Sequence, residues 1–299
     1  MSEGLCAPIA NEKVKVITSP KGRPVEKEQV FLQCGSVETA VAEVIAKEDP
    51  DILALGEAHP DSDDGSHQTT MKLFAARILP VLVQSGRNHL IIENFYCDRE
   101  TDQAIEAYLL TGKGLDALLN YHLFPDNNIN RFGLQQILQT ARALREKGVV
   151  FRIYGGGLSR HDRENSSAYD NFLAVSGGKK LTDLMSKLSL RTRQKVSLLQ
   201  REGVKKIVTY NGAQHNDIIN ITACPGISFG ARLKEQSKGR YVEIDIMSPE
   251  FMDKGYFENY DYPEYESWIK VNTPADKVTL IKRGGSAYTL LLPAGQLRP

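Results

Sequence analysis

The chain lacks net charge, with 37 Lys and Arg against 37 Asp and Glu. That excludes bulk electrostatic capture of nucleic acid or an acidic membrane surface. One local basic stretch, Arg191 to Lys206, reads as the exposed face of a helix. Cysteine is scarce. Cys6, Cys34, Cys97 and Cys224 are far apart with no C-x-x-C pair, which is neither a zinc ribbon nor a disulfide scaffold; buried free thiols are expected. No run of about 18 apolar residues occurs, so no membrane span is expected. The opening MSEGLCAPIANEK has neither a basic start nor a long apolar stretch. The chain is read as soluble and cytoplasmic, although a mature domain cut from an exported precursor would look the same. Missing too are GxGxxG after the first long strand, GxxxxGK[ST] and GxSxG. Their absence removes support for a dinucleotide fold, a P-loop and a serine-hydrolase elbow. The GGG at 155–157 follows a strand but has no dinucleotide fingerprint beside it. Low-complexity tracts and short repeats are absent as well.

What remains is ordinary globular material. With 299 residues, 41% hydrophobic and 25% charged, the chain can bury a large core. Short β-rich runs alternate with helical patterns. Strands are expected at 14–18, 30–34, 52–56, 89–94, 149–155, 206–212, 241–247, 278–282 and 288–292. Continuous Val/Ile/Leu runs such as ILALG suit central strands covered on both faces. Helices are expected at 36–48, at 69–86 with a kink at Pro80, and at 99–110, 132–148 and 181–203. The alternation predicts one α/β domain over 1–299, with a central mixed, mostly parallel sheet flanked by helices. Residues 1–35 read as an N-terminal β-hairpin and 50–220 as a motif-bearing core. Residues 240–299 hold C-terminal strands, a second edge hairpin at RGGS, and the aromatic, acidic segment 256–268, read as a packed surface loop or a substrate wall.

Ligands in such sheets bind outside the carboxyl ends of the strands. Those ends carry Gly56, Glu57 and His59; Glu93 and Asn94; Tyr154, His161 and Asp162; and Tyr210, Asn211, His215, Asn216 and Asp217. An apolar strand followed by Gly-x-x-His occurs twice, in ILALGEAH and IVTYNGAQH. Glycine allows a sharp turn or a close approach, and each His then stands beyond a strand end. Glu57, His59, Glu93 and His215 could therefore converge. Two imidazoles with a carboxylate can hold a divalent metal that activates water. Alternatively, a carboxylate orients His59 as a metal-free general base. A charge ending LIIE is costly if buried alone, which favours a role or an ion pair for Glu93. His89 and His122 read as ordinary residues. Asp61, Asp63 and Asp64 read as a solvated loop, because the distal Glu of an EF-hand is missing. His67 and His161 are open either way.

LALGEAH at 53–59, LIIEN at 90–94 and YNGAQHND at 210–217 resemble the superfamily that unites erythromycin esterases, ChaN iron-regulated lipoproteins and Tiki/TraB proteins. The resemblance implies an α/β fold with its site at the strand ends. From the esterase branch it implies Glu57, His59, Glu93 and His215 as site residues, with a His as base. The Tiki branch implies divalent-metal ligation for peptide-bond hydrolysis, and the ChaN branch implies haem or iron binding instead. The esterase branch reads GExxHG, whereas GEAHP here is shorter and closer to the other two. The expected function is hydrolysis of an ester or amide in a small-molecule or peptide substrate, metal-assisted, with Glu57, His59, Glu93 and His215 as core. Asn94, Asn211, Asp217 and His161 would support them. Haem binding, with Tyr96 or Tyr210 at plausible strand ends, and a catalytically inactive member are the alternatives.

Overall fold

In the computed structural model, the described residues are 6–8, 29–57, 68–120, 130–164, 179–213, 215–218, 226–249, 268, 271 and 273–297. His59, His67, His122, the Asp61–Asp64 cluster, Cys224, the expected strand 14–18 and most of the segment 256–268 lie outside them.

The strands are β1 (Ala7–Pro8), β2 (Val30–Cys34), β3 (Ile52–Glu57), β4 (His89–Ile92), β5 (Arg152–Gly155), β6 (Ile207–Gly212), β7 (Tyr241–Met247), β8 (Val278–Gly284) and β9 (Ala287–Leu291). They form one sheet in the order β1-β2-β8-β9-β7-β3-β6-β4-β5. From β9 to β5 every pairing is parallel; β8, β2 and β1 add antiparallel pairings at one edge. The expected C-terminal hairpin is present. Gly285 at its tip has φ +57°, a left-handed conformation that glycine adopts without strain.

The helices are α1 (Val37–Glu48), α2 (Thr70–Leu73), α3 (Leu79–Gln84), α4 (Arg99–Thr111), α5 (Leu115–Leu119), α6 (Arg131–Glu146), α7 (Arg160–Glu164), α8 (Lys179–Arg201) and α9 (Gly230–Gln236). Ser36 caps α1 by accepting the Thr39 N–H, and Asp98 caps α4 by accepting that of Thr101. Between α2 and α3 the chain winds as a π-helix over Phe74–Ile78. The expected kink at Pro80 thus takes the form of a widened turn just before it. The proline lacks an N–H and its ring crowds the carbonyl four residues back, and a π turn relieves both conflicts.

Period-two alternation sends Leu53 and Leu55 of β3, with Val208 and Tyr210 of β6, into the larger core. Helices α1 to α6 cover that face. Ile52, Ala54 and Ile207 face the other way, against Val196 and Leu199 of α8 and Phe229 and Leu233 near α9. Burial on both faces is why these strands read as uninterrupted apolar runs.

One expectation is corrected. Cys6 and Cys34 are not free thiols but form a disulfide, with Cα atoms 4.3 Å apart. The β1–β2 register, Ala7 opposite Gln33, sets Cys6 beside Cys34; sequence spacing gives no hint of that pairing. Cys97 stays a free thiol, and burial pushes its pKa up.

Candidate functional site

The two motif strands are neighbours. β3 and β6 pair with Gly56 opposite Asn211 and Glu57 opposite Gly212, and β4 lies on the far side of β6. All three run parallel, so their carboxyl ends open on the same edge.

Glu57 is buried at the end of β3 and faces the larger core. Its Oε2 accepts the Tyr210 hydroxyl at 2.5 Å and its Oε1 accepts the Asn130 amide at 2.9 Å. Asn130 precedes α6 in a left-handed conformation, φ +67°, so Glu57 stands beside that helix's N-terminus, a favourable place for an anion. Tyr210 packs against Phe74 of the π turn, ring centroids 4.5 Å apart and planes tilted by 46°. Burial, and then the Glu57 charge, push the Tyr210 hydroxyl well above the ordinary phenol range. It stays protonated as donor to Glu57.

Glu93 lies in the turn after β4, which ends at Ile92 rather than at 94. Its backbone N–H donates to the Tyr210 carbonyl, and its Oε2 accepts the Gly212 N–H at 3.1 Å. Its Oε1 is 3.7 Å from His215 Nε2. The other ring nitrogen, Nδ1, lies 3.2 Å from the Ile227 carbonyl. A carbonyl can only accept, so Nδ1 carries the proton and Nε2 faces Glu93.

His215 sits on a short segment gripped at every residue. The Phe229 N–H donates to its carbonyl. The Asn216 amide donates to Asp245 and its carbonyl accepts the Tyr241 hydroxyl. The Ser228 hydroxyl donates to the Asp217 carbonyl, and the Ile218 N–H donates to Glu243.

Behind this grip lies a buried charge cluster that the sequence reading missed. Arg283 of β8 places one guanidinium nitrogen 2.6 Å from both Glu243 and Asp245, and another 3.5 Å from Asp217. Among the described residues, Asp217, Glu243 and Asp245 are the group whose carboxylate oxygens come within metal-ligating range, 4.8 Å of one another. Burial raises the pKa values of Glu243 and Asp245 even against the Arg283 charge. The guanidinium lies among the oxygens that a metal would need. The available signal was YVEIDIM, a strand whose acids alternate with Val and Ile; alternation reads as a half-exposed strand, yet all seven residues are buried.

Gly56 explains the close packing here. A Cβ on it would lie 2.4 Å from Asp245 Oδ1, 2.7 Å from Ala213 Cα and 2.8 Å from Asn216 Nδ2. Asn94 is buried in the turn beside Glu93, and Asn211 is buried in β6. His161 is exposed on α7, while neighbouring Asp162 is paired through both oxygens with Arg191 and held well below the usual carboxylate range. In that shift, hydrogen bonds from Arg191 and Ser159 outweigh burial. His89 lies at the opposite, amino end of β4, stacked on Tyr154.

No protein-family model matches the chain, and no curated protein matches it. Solved structures do. The type III effector HopBA1 is 14% identical with TM-score 0.40, over 79% of this chain and 88% of its own. RRSP, a MARTX toxin effector domain from Vibrio vulnificus, is 18% identical with TM-score 0.42, over 71% of this chain and 36% of its own. An erythromycin esterase mutant, EreC, in its open conformation, is 12% identical with TM-score 0.53, over 85% of this chain and 92% of its own. The chain therefore shares its α/β architecture with an erythromycin esterase.

Proposed function

We propose that the chain is a metal-assisted hydrolase of an ester or amide bond, with His215, Glu93, Glu57 and His59 as the working groups. The observation that carries this reading is the orientation of His215. Its Nδ1–H is spent on the Ile227 carbonyl, which turns Nε2 toward a Glu93 oxygen 3.7 Å away. That separation is too long for a hydrogen bond. Two donors each about 2.1 Å from one divalent ion stand roughly 3–4 Å apart, so the pair fits a shared cation. A backbone carbonyl on the second ring nitrogen is the usual support for a ligating histidine.

A divalent ion held by His215 and Glu93, with His59 as a further ligand, would acidify a water and polarise the scissile carbonyl. The chain's own groups supply the rest. Glu93 is kept in place by the Gly212 N–H. Glu57, fixed by Tyr210 and Asn130 at the next strand end, is the second carboxylate for moving a proton to the leaving group. The esterase that shares this architecture supports a hydrolytic reading of the fold.

The test is metal content of purified protein beside hydrolysis of p-nitrophenyl esters and peptide anilides, for wild type and for His215→Ala, Glu93→Gln and His59→Ala. About one divalent ion per chain, lost with the hydrolysis in the variants while melting temperatures hold, is the expected result. Variants that hydrolyse as well as wild type would overturn the assignment.

A further inference from the structure

The outer surface of α8 and α9 carries charge that the fold leaves uncompensated. The two helices lie side by side. Gln236 of α9 donates through Nε2 to Ser197 Oγ at 3.0 Å and to Gln200 Oε1 at 2.9 Å, both on α8. One turn back on each helix, four residues before Gln236 and Ser197, stand Arg232 and Arg193. Their guanidinium groups are neighbours of like charge. Burial, and then the Arg232 charge, lower the Arg193 pKa. The Arg193 Nε is buried without a hydrogen-bond partner. Among the described residues neither arginine has an ion pair.

Other cations of α8 are treated differently. Arg191 is paired with Asp162, and Lys195 with Asp102. Those pairs tie the helix to α7 and α4. Arg193 has no such carboxylate, nor do Lys187 and Arg201 on the same helix among the described residues. Along the same helix two leucines are exposed, Leu190 at 40% and Leu198 at 41%. Eight residues apart, they rise from one side of the helix about 12 Å from each other. Acid is sparse here. Glu202 acts on His89 and Tyr154, on the flank away from α9, and Glu235 is the one acid of α9.

We propose that the α8–α9 surface docks on an anionic phospholipid bilayer. Arg193 and Arg232 meet headgroup phosphates, and Leu190 and Leu198 enter the boundary between headgroups and acyl chains. The chemistry of the patch selects this partner. Two adjacent guanidinium groups repel each other until an anion lies across them, and a guanidinium matches phosphate oxygens in bidentate fashion. Cations and leucines interleaved on exposed helix faces suit an interfacial surface. A nucleic-acid backbone would satisfy the arginines but offers the leucines nothing. The chain is neutral overall, so the attraction is local and turns α8 and α9 toward the lipid.

The test is sedimentation of the full chain with phosphatidylcholine vesicles, with and without phosphatidylserine, at low and at physiological salt. The variants are Arg193→Gln/Arg232→Gln and Leu190→Gln/Leu198→Gln, and a DNA duplex serves as competitor. Wild type is expected to pellet only with the phosphatidylserine vesicles. One cation near such a surface contributes a factor of about five, so the arginine pair should weaken binding about 25-fold. The leucine variant should bind at low salt and fail at physiological salt, where screening leaves apolar insertion to hold the protein. Melting temperatures should stay at the wild-type value. Arginine variants that pellet like wild type would overturn the proposal, as would equal binding to pure phosphatidylcholine or a loss that merely accompanies a lower melting temperature. Release of wild type by the duplex, with the leucine variant bound unchanged, would overturn it too and reassign the patch to nucleic acid.

Discussion

Replacing Arg283 by Met removes the cation of the buried cluster while keeping most of its volume. The guanidinium is 2.6 Å from Glu243 and Asp245, and none of the three side chains is more than 4% exposed. Removing one partner of such a pair costs about 3–5 kcal/mol, because the other charge is left buried and unpaired. Two close carboxylates place Arg283→Met near the top of that range at pH 8. Protonation relieves the strain. Burial already raises both carboxyl pKa values above their ordinary 4.5 and 3.8, and without Arg283 they rise further. A raised carboxyl holds its proton in the folded state after the unfolded chain has lost it. Its stabilisation is therefore full below the ordinary value and falls away as pH rises through the folded one. With one extra proton held, stability drops by about 1.4 kcal/mol per pH unit. Wild type shares the sign with a smaller slope. Urea unfolding from pH 5 to pH 8, followed by fluorescence of the single, buried Trp268, measures both quantities. A penalty below about 1 kcal/mol, or one equal at pH 5 and pH 8, would refute the assignment of Arg283 as the cluster's counter-charge.

Two further outcomes concern the frame. Gly56→Ala puts a Cβ 2.7 Å from the Ala213 backbone, which a side-chain shift cannot relieve, so a loss of roughly 1–3 kcal/mol is expected for overpacking; an unchanged thermal melt would contradict it. The Cys6–Cys34 bridge spans a sequence separation of 28, worth about 3–4 kcal/mol by loop entropy. Reductant should lower the melting temperature of wild type but not of Cys6→Ser, and alkylation of unfolded, unreduced protein should mark Cys97 while sparing Cys6 and Cys34.

The strands were legible where local chemistry is strong. VFLQC and YVEIDIM are β2 and β7 residue for residue, because β-branched and apolar runs that stop at a Gly or Ser, here Gly35 and Ser248, have few other uses. Ser36 announces α1 as directly. The pairing of Glu93 with His215 was within reach, since both end apolar strands of parallel type. What escaped depends on contacts distant in sequence. Tyr210 and Asn130 reach Glu57 from other elements. Arg283 was read only as part of the RGGS link between two hairpin strands, and no local pattern ties it to Glu243 and Asp245. The argument that a charge inside a buried run needs a partner was applied to Glu93; applied equally to YVEIDIM, it would have raised the question of a buried cation.

The sheet order has a consequence for how the chain reaches this state. β3 sits between β6 and β7, so its two neighbours are made late in the chain, and the Tyr210–Glu57 contact joins residues 153 apart. Pairings of that range must close long loops before any contact repays the lost entropy, which places such topologies among the slow folders. The N-terminal half can form α1, α4 and the β4–β5 pair from neighbouring sequence. Glu57, however, meets its phenol partner only once β6 has inserted between β3 and β4, and Asp245 reaches Asn216 only after β7 docks on the other side. A nascent or truncated chain without those strands holds Gly56 and Glu57 on a ribbon unpaired along both edges, so the arrangement of the site is among the last things that folding completes.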